Sequence, residues 1–237
     1  YARAAYLAGA GVLRATADIV VALCADERRK LAAAGLPAAR TPVVHNWLDM
    51  AAYEAAAARP LPATVAAGAA RSIAGTELPA GAARAVYPAQ LIARKGHATL
   101  FAALALLRAR GTQLACVCPG AGAEEAAVRS AAREAGVADL VSLPGPVDAA
   151  VVPALLRAAD LAVVASHAET FGYVLIEPLA LGVPLVTTRV GVAHELERAG
   201  GARVVAPGDA PALADALAWT LAHPAEARAA AAAGGAY

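Results

Sequence analysis

Aromatic residues are scarce: two Phe, two Trp and six Tyr make up 4% of 237 residues. A close-packed interior must then be filled by aliphatic side chains, here Ala, Val and Leu. Cysteine occurs three times. An odd count in a chain of this length excludes a disulfide scaffold and fits a reducing, cytoplasmic setting. An excess of one sign of charge is absent too. The formal net charge is +1, which gives no electrostatic case for nucleic acid. No apolar run approaches 18 residues, so no membrane-spanning helix is expected. There is no initiator Met and no signal-peptide pattern; the chain opens in a helix-like stretch, YARAAYLAGAGVLRA. The expectation is that an upstream portion is missing.

Alanine is what the chain has in excess, 73 of 237 residues, lifting the hydrophobic share to 59% and the mean hydropathy to +0.55. This apolar content excludes intrinsic disorder. With Ala, Gly, Arg and Pro all abundant, a GC-rich genome explains the excess as background filling of helix faces. The length exceeds a mini-domain and falls short of two full α/β domains. Short β-branched runs alternate with Ala/Leu helices, the pattern of a parallel α/β sheet. A first block has helices near 2–16 and 25–34 and strands at 18–23 and 41–45. Residues 50–84, rich in Ala, Pro and Gly, read as a linker with one short helix at most. A second block predicts strands at 85–91, 113–118, 139–143, 160–165, 184–188 and 202–205. Helices fit at 96–110, 122–135, 148–158, 173–181, 192–199 and 210–222, with a helical or frayed tail at 223–237. Uninterrupted apolar strands such as LAVVA and PLVTT suit burial on both faces. The fold class expected is a doubly wound parallel sheet.

In such a sheet, ligands bind outside the carboxyl ends of the strands where strand order reverses. With order 3-2-1-4-5-6, that point lies between the first and fourth strands. It brings together the loop Gln90, Leu91, Ile92, Ala93, Arg94, Lys95, Gly96 and the loop Ser166, His167, Ala168, Glu169, Thr170, Phe171, Gly172. Glu169 and Glu177 flank a helix start at Phe171–Gly172, whose free N–H groups favour an anion. Lys95 adds a positive charge from the opposite loop. Carboxylate, anion cradle, carboxylate is a layout that suits a molecule with hydroxyls at both ends and phosphates between, as in a nucleotide-sugar.

At these residues the chain resembles a retaining glycosyltransferase of the GT-B fold, in family 4. ADLAVVASHAETFGYVLIEPLALGVPLVTT is similar to that family's donor signature of Glu, seven residues, Glu, then Gly-x-Pro (Gly182, Val183, Pro184). AQLIARKGHATLFAAL resembles its first C-domain loop. CVCPGAGAEEAAVRSAAREAGVADLVSLPGPV resembles the next strand, Gly-x-Gly turn and helix. ADIVVALCADERRKLAAAGLPAARTPVVHNWLD resembles the end of the N-terminal domain. The resemblance implies a Rossmann-like donor domain at 85–222, a linker at 50–84, and at 1–49 the remnant of a second, acceptor-side Rossmann-like domain. It implies that Glu177 binds the donor ribose and that Glu169 contacts the transferred sugar. Phe171 and Gly172 would present N–H groups, and Lys95 would neutralise the UDP- or GDP-linked diphosphate. Gln90, Arg94, His167, Thr170 and Tyr173 complete the donor set, with Glu169 and Lys95 as the catalytic pair. No metal or other cofactor is implied. The acceptor is left open among glycan, lipid and small molecule, and peripheral membrane contact through the missing domain is allowed. A donor-binding fragment is expected to be inactive alone.

Three departures matter. Gln90 stands where the family usually has a phosphate-binding Arg, and an amide brings no charge. Pro178 follows Glu177 within a helix, implying a late start or a bend. RVGVAHE replaces the usual Gly-Gly, retaining Gly191 and adding Val192. Elsewhere, Cys116 and Cys118 share one strand face and read as core, as does Cys24. His97 reads as a phosphate neighbour or a cap. Ser166 reads as a turn cap, Asn46 and Asp49 as hinge turn residues, and residues 26–30 as a solvated face. His194 and Glu195 lie in a loop the family places near sugar or diphosphate; Glu195 equally fits a helix-start acid. Two other classes compete: a sugar-nucleotide epimerase and a non-catalytic nucleotide-binding remnant. A dehydrogenase is weaker, because no Gly-x-Gly-x-x-Gly follows the first strand.

Overall fold

The structure, a computed structural model, describes Gly9 and residues 11–235. Its centre is a six-stranded, all-parallel sheet of β1 (Ala83–Val86), β2 (Leu114–Val117), β3 (Val141–Ser142), β4 (Leu161–Val164), β5 (Leu185–Thr188) and β6 (Arg203–Val205). Spatial order is β3-β2-β1-β4-β5-β6, so the order reverses between β1 and β4. The doubly wound class and its switch point are as the sequence pattern implied. Every residue of β2, β4 and β5 is buried, which is why these strands carry no polar alternation. The strands are shorter than their apolar runs, yet alternate backbone bonds continue past β1, from the N–H groups of Tyr87, Ala89 and Leu91 to the carbonyls of Val117, Pro119 and Ala121.

Helix α4 (His97–Ala109) buries Leu100, Phe101, Ala103, Leu104 and Leu107, an i, i+3, i+4, i+7 stripe. The others in this block are α5 (Glu125–Glu134), α6 (Val152–Arg157), α7 (Tyr173–Ala180), α8 (Ala193–Arg198) and α9 (Ala210–Ala222). Asp209 starts α9 by accepting the Ala212 N–H at 2.9 Å, and α9 packs against α4. The tail is ordered helix: α10 (Pro224–Gly235) lies on α7 and buries Ala227, Ala231 and Gly234. The largest fully buried side chains are Tyr87, Phe101 and a set of leucines, so aliphatic packing carries the core.

The stretch expected to be a linker differs. It forms two helices, α2 (Met50–Ala57) and α3 (Ala63–Ala70), and an isolated antiparallel bridge between Arg71 and Glu77. Asp49 caps α2 by accepting the Ala52 N–H at 3.0 Å, and α2 packs on α6. Both helices are so rich in Ala that no apolar period contrasts with a polar one, which hid them in the sequence. Of the helix expected at 2–16, residues 11–16 are helical, and most of the rest lies outside the described residues. The strands expected at 18–23 and 41–45 shrink to one parallel bridge, Ala22 with Val43. Helix α1 (Ala25–Ala33) follows the first of them. Ala22, Leu31 and Leu36 form a small separate core, while Ile19, Val21 and Val44 remain exposed. No helix among the described residues is long and apolar enough to cross a membrane.

Leu161 on central β4 is 0% exposed. Leu161→Ala is expected to lower the unfolding free energy by roughly 2–5 kcal/mol in chemical denaturation, through lost transfer energy and the cavity left behind.

Candidate active site at the sheet switch point

The loops after β1 and β4 face each other and bond directly. The His167 N–H donates to the Arg94 carbonyl at 2.8 Å. Gly96 sits at φ 65°, and a side chain there would place Cβ 2.0 Å from the Ala165 carbonyl oxygen. Only glycine lets the start of α4 come this close to the end of β4. Lys95 is thereby carried to Glu169: Nζ lies 2.6 Å from Oε1, with side chains 13% and 10% exposed. Ser166 donates to the same Oε1 at 2.7 Å.

Beneath this pair lies Tyr87, fully buried. Its hydroxyl is 2.7 Å from the Lys95 carbonyl and 2.8 Å from Ser166 Oγ. Two hydroxyl protons serve three contacts. If Ser166 donates to Glu169, Tyr87 donates either to Ser166 or to the Lys95 carbonyl, never to both. The chain Tyr87–Ser166–Glu169 is therefore aligned to stabilise the carboxylate when Tyr87 turns its proton to Ser166. Burial pushes the Tyr87 phenol well above its ordinary range, so it acts as a neutral donor. Thr188 Oγ1 donates to the Ser166 carbonyl at 2.5 Å and fixes the loop from β5.

Helix α7 begins at Tyr173 with Gly172 as N-cap and no capping side chain. Leu175 N–H bonds the Gly172 carbonyl at 2.9 Å, and a helix start without a side-chain cap favours negative charge. Phe171 is buried, its carbonyl accepting the Val192 N–H at 3.0 Å. Gly191, at φ 53°, is pressed against that carbonyl: an added Cβ would lie 2.2 Å from its oxygen. Val192 is fully buried. Pro178 is inside α7, which starts at Tyr173; the helix runs on only to Ala180.

Glu177 lies on α7, half-buried, and burial pushes its carboxyl above the ordinary range. Tyr53 reaches this neighbourhood from α2. Its hydroxyl is buried without a partner, and burial, then the charge of Glu177, push its phenol up. Gln90, Arg94, His167, Thr170 and Tyr173 are exposed around the junction; the Arg94 side chain does not turn inward.

Several residues land elsewhere than the sequence suggested. His97 neither caps nor reaches out. It is 2% exposed between Tyr87 and Phe101, both ring nitrogens lack partners, and burial with the charge of Lys95 lowers its pKa to about 4. Ser166 is a carboxylate partner rather than a turn cap. Cys116 and Cys118 are core as expected, their sulfurs 3.6 Å apart. Cys24 is buried too, but its thiol donates to the Thr170 carbonyl at 3.2 Å. Tyr87 and Tyr53 were missed: a Tyr in an apolar strand or an Ala-rich stretch gives no sign that its hydroxyl meets a polar group far along the chain.

Residues 69–235 match the family of group 1 glycosyl transferases, and the chain belongs to that family. The curated relatives are consistent with it. The D-inositol 3-phosphate glycosyltransferase 2 of Catenulispora acidiphila is 46% identical over 69 residues, which is 29% of this chain and 16% of that protein. The D-inositol 3-phosphate glycosyltransferase of an Arthrobacter species is 38% identical over 101 residues, 41% of this chain and 24% of that one. Among solved structures, Anabaena Alr3699/HepE in complex with UDP-glucose superposes with TM-score 0.80 at 21% identity, covering 100% of this chain and 63% of that one. Sucrose-phosphate synthase from Thermosynechococcus elongatus gives TM-score 0.78 at 26% identity, covering 98% and 55%. The fold is thus the Rossmann-like C-terminal domain of a GT-B glycosyltransferase, and the chain spans less than two thirds of each of these relatives.

Two outcomes test the electrostatics. Lys95→Met is expected to cost roughly 3–5 kcal/mol in denaturant unfolding, because Glu169 is left buried and unpaired, with much of the loss recovered in Lys95→Met/Glu169→Gln. His97 has a folded pKa below its unfolded value of 6.5, so the unfolded chain binds the extra proton as pH falls. Its contribution to stability is full above pH 6.5 and lost towards pH 4. Relative to His97→Leu, wild-type unfolding free energy should drop by on the order of 3 kcal/mol between pH 7 and pH 4.

Proposed function

We propose that this chain carries the donor half of a retaining, family 4-type glycosyltransferase that transfers a sugar from a UDP- or GDP-linked donor. The observation that carries the reading is the junction itself. A buried Lys95–Glu169 pair lies beside the uncapped start of α7, with Glu177 further along that helix. The diphosphate belongs at the α7 amides and Lys95, where charge developing on the leaving group is stabilised. Lys95 is committed to Glu169, so an arriving phosphate competes for its ammonium and loosens Glu169 towards the sugar. Glu177, made costly by burial, gains a partner when ribose hydroxyls donate to it. Phe171 and Gly172 supply backbone N–H groups, and Thr170, Tyr173, His167, Gln90 and Arg94 rim the cleft. The protein cations take the part that a metal plays elsewhere.

Retention is read from the resemblance of the donor signature, with the leaving phosphate assisting deprotonation of the acceptor. The acceptor, whether glycan, lipid or small molecule, is held by residues outside the junction, so the isolated chain is proposed to bind donor without turning it over. The family match favours transfer over epimerisation.

A nucleoside diphosphate that binds only the native state should raise the melting temperature. UDP or GDP at millimolar concentration is expected to do so in differential scanning fluorimetry, by several degrees. Glu177→Ala should lose most of that shift and Gln90→Ala little of it. No shift with either nucleotide, or the reverse ranking, defeats the assignment.

A further inference from the structure

Glu195 stands in the first turn of α8, where an acid is ordinarily explained by its own helix dipole. Its carboxylate is engaged elsewhere. Oε1 accepts the N–H of Ala25, the first residue of α1, at 2.8 Å. It also lies 3.4 Å from His45 Nε2. Cys24, the N-cap of α1, offers that helix no side-chain bond and turns its thiol to Thr170 instead. The helix start is therefore capped from a residue 170 positions later in the chain. Oε2 of the same carboxylate is buried with no partner, so the side chain is held in place at a cost.

The other end of the connection is equally definite. The turn before α8 supports the donor loop: Val192 N–H bonds the Phe171 carbonyl, and Gly191 abuts that carbonyl and Glu169 Cβ. One carboxylate thus joins α1 and His45 to the turn on which Phe171 and Glu169 rest.

We propose that Glu195 is a positioning residue, clasping the start of α1 and His45 to the Val190–Ala193 turn and through it setting the Glu169–Phe171 loop against the donor's sugar. The final clause rests on the donor-site reading given above. Glu195 does not touch the donor; it acts through the turn.

Amide hydrogen exchange on the full chain tests the clasp without any ligand. Glu195→Ala is expected to speed exchange at least tenfold in residues 23–33 and 166–173, with β1 and β2 unchanged. Glu195→Gln keeps a carbonyl for the Ala25 N–H and should restore most of the protection. Ala25→Pro removes the donor from the other side. Proline is tolerated at a first helical position, and Cys24 is already extended at φ −157° and ψ 168°, as a residue before proline prefers. It should speed exchange in 166–173 as Glu195→Ala does, and the double variant should be no faster than either. Unchanged exchange in 166–173 in Glu195→Ala, no rescue by Gln, or additive effects with Ala25→Pro would each overturn the proposal. Should Glu195→Ala unfold the chain, Ala25→Pro alone decides on residues 166–173. Calorimetry with UDP and UDP-glucose tests the sugar clause: Glu195→Ala should weaken UDP-glucose about fivefold more than UDP, and equal weakening overturns that clause. Failure of the wild type to bind either nucleotide would defeat the donor-site reading and leave the exchange arms to decide the clasp.

Discussion

The approach of Gly96 to the end of β4 is the constraint on which the site depends. A parallel sheet opens a crevice where its strand order reverses, but a crevice holds chemistry only if the loops on its two sides meet. Here they meet because a residue without a Cβ lets α4 start against the Ala165 carbonyl. The backbone bond between His167 and Arg94 then fixes the register of the two loops. Lys95 and Glu169 follow as neighbours, largely removed from water and held from below by Tyr87 and Ser166.

Burying that ion pair has a desolvation cost, and the surrounding hydrogen bonds offset it. The result is a poised arrangement rather than a strong prop for the fold. Glu169 takes two donors on one oxygen, Lys95 has a carboxylate partner, and α7 starts alongside without a side-chain cap. His97, kept neutral by burial, adds no competing charge beneath Lys95. Local electrostatics at the junction are thus set by the Lys95–Glu169 pair and one helix end, with half-buried Glu177 further along α7 and Gln90, Arg94, His167, Thr170 and Tyr173 exposed around them. The N-terminal segment is tied to the same place by Cys24 and Glu195, so the loop between β4 and α7 is braced from two directions.

How much of this was legible depended on contrast along the sequence. Strands such as LAVV lie among charged and Gly/Pro positions, so the doubly wound class followed from the pattern, and the structure has that class's common order. The helix expected at 210–222 is α9, Ala210–Ala222, residue for residue. The two helices at Met50–Ala57 and Ala63–Ala70 were not legible, because Ala on every face erases periodicity. The apolar runs at 18–23 and 41–45 looked like strands, yet among the described residues they have only each other, and one bridge is what remains. Of the site, Lys95, Glu169 and Glu177 drew notice through residue type and spacing; Tyr87, Tyr53 and the true use of Ser166 did not.

The sequence by itself determined the doubly wound class, the two loops that this class brings together and the charged residues they carry. These are local properties: apolar period, breaker residues and the side chains between them. Only the tertiary structure decided what each charge touches. Lys95 is spent on Glu169 rather than standing free, His97 is sealed in the core, and Glu195 caps a helix far from its own. Hydrogen bonds form between groups adjacent in space, at distances of about 3 Å, and no pattern along the chain encodes which of its distant polar groups will come that close.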